Sequence, residues 1–131
     1  MTKAQALHLF WSAFGLKAID ENSAYDTAVM EEQGITYPYI SYEVAAGALG
    51  EVNQLLTGSI WYRSTSWSGA EEKAKEIADW IGYGGKIIPV DGGYLRIMLP
   101  ENSIIYRRME DPDDSIRRIV FNLSVDYLTA T

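Results

Sequence analysis

Glu110-Asp-Pro-Asp-Asp-Ser115 is the densest run of carboxylates in the sequence, and several carboxylate oxygens are what a hard cation asks for. The run lacks the Asp-x-Asp-x-Asp-Gly spacing and closing Glu of a calcium loop. Arg107 and Arg108 precede it, and Arg117 and Arg118 follow. Four bases around four acids read more naturally as a turn whose charges pair with each other or with another chain. His8, the single histidine, falls off the apolar stripe of its segment and has no carboxylate in register, so it reads as a surface or boundary residue rather than a base. There is no cysteine, which excludes disulfides, thiolate zinc sites and a thiol nucleophile. Gly82-Tyr-Gly-Gly85 lacks the lysine and following helix of a phosphate loop, and no Gly-x-Ser-x-Gly elbow occurs. No catalytic residue, metal ligand or cofactor is therefore assigned. Trp61, Trp67 and Trp80 with Tyr62 and Tyr83 could stack on bases or cage a ligand, but no basic patch accompanies them. Core packing accounts for most of them, and partly exposed aromatics beside Arg63 also suit a subunit interface.

The elements that would position these residues follow from hydrophobic period. Ser59–Gly82 organises the rest: Ile60–Thr65 is β-branched and aromatic, then Ala74, Ile77, Ala78 and Ile81 recur at helical spacing. Ser68 and Glu71 have the spacing of a capping box, and Gly82, Gly84 and Gly85 suit the helix end. An earlier amphipathic helix is expected over residues 2–17, with Leu7, Phe10, Trp11 and Phe14 as its stripe and Thr2 as its cap. Residues 19–34 carry no sustained period and read as a long loop or a short irregular segment. Tyr37–Val44 reads as a strand with Pro38 at its start or on an edge, and Gln54–Thr65 as its antiparallel partner after a connection over Ala46–Asn53. Lys86–Val90 and Tyr94–Leu99 flank Asp91-Gly-Gly93, a hairpin signal. Ile104–Met109 is a short extended piece. Arg117–Leu128 alternates Ile119, Phe121, Leu123, Val125 and Tyr127 with mostly polar residues. The order α-β-β-α-β-β-β predicts one α+β domain over 1–131, a mostly antiparallel or mixed sheet of about five strands covered by two helices.

Composition narrows the classes. A chain of 131 residues with 47% apolar content can build one core and is not a disordered tract. No apolar run approaches the ~20 residues a spanning helix needs. Met1-Thr-Lys-Ala-Gln-Ala-Leu-His8 does not read as a signal peptide, so an intracellularly made, soluble product is expected. The charge is uneven. No Lys or Arg lies between Ala18 and Tyr62, a window holding seven acids including Asp26, Glu31 and Glu32. The remainder carries eleven acids and eleven bases, so the net charge of −7 resides in that window. A surface of this sign repels nucleic acid, and no specific nucleic-acid or membrane binding is expected.

Tyr37-Pro-Tyr-Ile-Ser-Tyr-Glu43, Ile60-Trp-Tyr-Arg-Ser-Thr-Ser-Trp67, the Ala74–Gly82 helix end and Arg117-Arg-Ile119 carry a resemblance. Over roughly Phe10–Leu128 the chain resembles the tail terminator, or tail-completion, proteins of the neck of long-tailed bacteriophages and prophages. The resemblance implies a non-catalytic virion protein made in the bacterial host cytoplasm. It would self-assemble as a six-membered ring, cap the tail tube by contacting the tail-tube protein, and meet the head-tail connector proteins. The acidic window, with Asp26, Glu31 and Glu32, would suit a lumen through which DNA slides or an assembly surface. Arg107, Arg108, Asp113, Asp114 and Arg117 would suit a head-to-tail subunit interface. Alternatives are another neck or head-completion protein, or a small cytoplasmic enzyme or ligand-binding module.

Overall fold

A computed structural model describes residues 1–21, 27–43, 51–100 and 103–129. Helix α1 runs over Lys3–Trp11, opened by a reciprocal cap: the Thr2 hydroxyl accepts from the Gln5 N–H while the Gln5 amide oxygen accepts from the Thr2 N–H. A 3-10 turn over Ser12–Phe14 tightens its end, and Gly15 at φ 79° reverses the chain into strand β1, Lys17–Asp20. Helix α2 is short, Thr27–Glu32. Strand β2, Tyr39–Tyr42, starts just after the cis Tyr37–Pro38 bond. Then come β3, Glu51–Arg63; helix α3, Ser68–Ile81; β4, Lys86–Val90; β5, Gly93–Met98; β6, Tyr106–Met109; and β7, Ile116–Thr129.

Among the described residues the strands form one sheet of seven, in the order β1-β2-β3-β7-β5-β4. β1 runs parallel to β2, and every other pairing is antiparallel. β7 is the spine. One of its edges pairs with β3 along most of its length, and its other edge is shared end to end by β6, at Arg118–Phe121, and β5, at Ser124–Thr129. The architecture is α+β, as the sequence predicts.

The two sheet faces differ because alternate residues point to opposite sides. The inner face presents Ile40, Tyr42, Leu56, Ile60, Leu95, Ile97, Ile119, Phe121, Leu123, Val125 and Tyr127, all buried. Onto them pack Ala6, Leu7, Phe10, Trp11 and Phe14 of the N-terminal helical segment and Ala70, Ala74, Ile77 and Ile81 of α3. Ala70 and Ala74 are fully buried, which lets α3 approach closely. Gly58 is a second close approach: a Cβ there would lie 2.6 Å from the Trp11 ring, so the indole lies flush on β3 only because that position has no side chain. On the outer face, a smaller cluster of Ile19, Ile35, Tyr39 and Trp61 with Val29 and Met30 of α2 covers only the β1–β3 corner.

Several expectations are corrected. The first helix stops at Trp11 because Gly15 and the β1 pairing claim the residues that would extend it. Residues 19–34, expected as a loop or a short irregular segment, include the end of β1 and all of α2, each too short to show a period. The 104–109 piece contributes a true strand, and β3 starts at Glu51, inside the expected connection. The remainder of that connection, 46–50, lies outside the described residues. Ser68 is the first residue of α3 rather than its cap; Trp67 stands at the cap with no side-chain bond, and Glu71 turns away to hold Arg108.

Candidate functional site

The β6–β7 hairpin carries the bases and acids singled out in the sequence, and the sheet sorts them by face. Arg108 and Arg117 lie on the inner side, where both guanidiniums sit over the Trp67 ring, at 4.8 and 5.3 Å from its centroid. Arg108 Nε donates to Glu71 at 2.6 Å, tying the hairpin to α3, and Arg117 donates to the Thr65 carbonyl at 2.9 Å. These two residues brace the fold. Asp113 is also occupied: its Oδ1 accepts from the Ser115 N–H and hydroxyl, which holds its carboxyl below the usual range. Asp111 accepts from the Asp113 N–H in the same way, so the turn is folded by its own side chains. Of the two pairings expected for these charges, with each other or with another chain, the first is not made among the described contacts. Glu110, Asp114 and Arg107 stay exposed.

Glu31 and Glu32 end α2 and are exposed, while Asp26 lies outside the described residues. They are not brought together with the hairpin charges in any contact among the described residues.

Arg118 marks a feature that composition and motif searching passed over. It points to the outer face, where its Nε donates to the buried Ser59 hydroxyl at 3.1 Å and its guanidinium lies 4.5 Å from the Trp61 ring centroid. Trp61 Nε1 in turn donates to the buried Ser41 hydroxyl at 2.8 Å. The indole and the two serines therefore fix the arginine plane. Around it a cavity of about 270 Å3 is lined by Arg107, Asn122, Thr57, Glu21 and Glu43 among others. Glu43 accepts from the Thr57 hydroxyl at 2.8 Å. The strand alternation could have found this site: Ser41, Ser59, Trp61 and Arg118 occupy the polar phase of three strands whose other phase is apolar, but only the register aligns them.

The remaining outer face, over β5 and β4, is uncovered. Leu55, Ile87 and Tyr94 are 64%, 62% and 41% exposed, with the paired Arg96 and Asp126 positions between them. Such apolar groups on an open sheet face are what an interface uses.

His8 Nδ1 lies 2.8 Å from the Tyr42 hydroxyl, and burial, with Asp20 adding to it, pushes that phenol above its ordinary value. The phenol stays protonated near neutrality and can donate to the ring nitrogen. A wide, open cavity of about 420 Å3 beside His8 is lined by Ser12, Lys17 and Gln33, but no nucleophile is aligned on the imidazole among the described contacts. Among the described residues no group of three or more His, Asp or Glu is placed to hold a metal ion. No helix among them is long and apolar enough to cross a membrane.

Compared with protein-family models, with curated proteins and with solved structures, the chain finds no match in any of the three.

Proposed function

We propose that this chain is a structural virion protein of the tail-terminator kind, capping the tail tube as a ring, a hexamer by the resemblance, and presenting the surface on which the head-tail connector docks. The observation that carries this reading is the one-sidedness of the fold. Two helices cover one face of the sheet, while most of the other face is left with exposed Leu55, Ile87 and Tyr94 and the exposed charge of Arg107, and the exposed Glu110 and Asp114 stand in the turn at the hairpin's end. An unsatisfied face of this kind suits a subunit that completes itself against neighbours. Glu31 and Glu32, exposed at the end of α2 in a window without bases, would face the lumen, where negative charge keeps passing DNA from adhering.

Sedimentation velocity over a concentration series, followed by addition to polymerising tail tubes, tests the reading. A closed oligomer and arrested tube growth are expected. A chain that stays monomeric and leaves tube length unchanged refutes it. Charge reversal of Glu31 and Glu32 should leave the circular dichroism unchanged and lower infectivity, and full infectivity would count against the lumenal placement.

A further inference from the structure

We infer that the outer-face cavity of one copy receives the Glu110–Asp114 turn of a second copy, with Arg107 and Arg118 holding the carboxylates of Glu110 and Asp114. The inference rests on the self-association proposed above and names the groups that would make it. Three observations lead to it.

Arg118 is organised as a receptor. Ser59 takes its Nε proton and Trp61 supports its plane, and the residue lines the cavity with no hydrogen bond to its two terminal nitrogens among the described contacts. A guanidinium held by stacking and one hydrogen bond loses little freedom when a carboxylate takes the remaining fork. Arg107 lines the same cavity from β6, where it pairs with Val120, and is exposed.

The turn is organised as the complementary plug. Asp111 and Asp113 spend an oxygen each on folding it, through the Asp113 and Ser115 N–H groups, whereas Glu110 and Asp114 are exposed and meet no cation among the described contacts. A turn already shaped by its own side chains docks at low entropic cost.

The two halves do not meet within one copy among the described contacts. Arg107 and Arg118 lie in the paired body of the hairpin, and Glu110–Asp114 projects from its end. A second copy supplies the same turn at every contact, as head-to-tail association requires. Glu21 and Glu43 line the same cavity and leave it nearly charge-balanced, so bidentate geometry rather than a diffuse field selects the arginines.

The test uses Arg107→Glu and Asp114→Arg, both at exposed positions, and the chain carrying both, by sedimentation velocity at ~0.1 M salt where distant charges are screened. Circular dichroism checks that each variant is folded. Each single reversal sets like charges opposite each other and should weaken association by more than about tenfold, and the double variant should recover most of the loss. Arg118→Lys keeps the charge and loses the fork, and should weaken association as well. If the parent chain associates and the single variants do so equally well, or the double variant is no better than either, this contact is overturned while the ring reading stands. If the parent chain stops at a dimer yet shows the same loss and recovery, the contact holds and the ring does not. A parent chain that is monomeric at ~1 mM overturns this contact, and the ring reading falls with it only if tube length is also unchanged.

Discussion

The inner and outer phases of β7 alternate along the same fourteen residues yet meet opposite fates. Ile119, Phe121, Leu123, Val125 and Tyr127 lie under α1 and α3 and are at most 2% exposed. Arg118, Val120, Asn122, Ser124 and Asp126 face outward and are only half-buried, with no helix of the described residues over β5 and β4. The difference comes from what each phase can offer a partner element. The apolar phase gains by excluding water, so helices of the same chain cover it. The polar phase gains little from a helix of its own chain and instead forms local bonds, Arg118 to Ser59 and Trp61 to Ser41. Burial is thereby concentrated on one side of the sheet.

The sharpest way to break this comparison is Phe121→Ala, which should cost about 3–5 kcal/mol in urea unfolding because its site lies beneath two helices and cannot collapse freely. A cost below 1 kcal/mol would mean that the inner face is not a packed core. Gly58→Ala should cost less, about 1–3 kcal/mol, since the new methyl meets the Trp11 ring and that fully buried indole has no room to retreat. Its Nε1 has no hydrogen-bond partner among the described groups, so packing alone sets the ring's position. On the outer face the expectation reverses: Leu55→Ser and Ile87→Ser should each change stability by no more than about 0.5 kcal/mol, and any effect should appear in sedimentation instead. A loss of several kcal/mol at either position would show that the outer face is also core.

The smallest effect concerns the turn. The Asp113 carboxyl is held below its usual range first by the Ser115 hydroxyl and then by the Ser115 N–H. Its contribution to turn order is complete above the ordinary carboxylate value and disappears as pH falls through the lowered one. An NMR titration of the Asp113 carboxyl carbon in wild type and Ser115→Ala should show the midpoint rising in the variant, and an unchanged midpoint would remove the hydroxyl from the account.

Long elements with a strong period were legible from residue types. β7 shows its alternation over more than ten residues, and α3 shows four apolar positions at helical spacing. β1 and α2, four and six residues long, were not legible, because a strand or helix of that length is held by its neighbours rather than by its own preferences. β1 exists through its parallel register with β2, and Ile19 is buried only once Tyr39 and Trp61 are beside it. Glu71 shows the same limit in a single residue. Its local spacing favours a capping bond to Ser68, but Arg108, thirty-seven residues away, takes the carboxylate instead. A charge-assisted bond to a guanidinium already resting on Trp67 outweighs a local bond that water can replace.

Residue order by itself determined that this chain has two stretches with apolar residues at helical spacing and at least one strand with a single apolar face, since burying those faces is the dominant gain open to it. It also determined the lack of thiol chemistry and the placing of all net negative charge between residues 18 and 62. Tertiary structure alone decided which arginines brace the fold and which remain free. Arg107 and Arg108 are adjacent in sequence, and a strand sends neighbours to opposite faces, one to solvent and the other to Glu71 and Trp67.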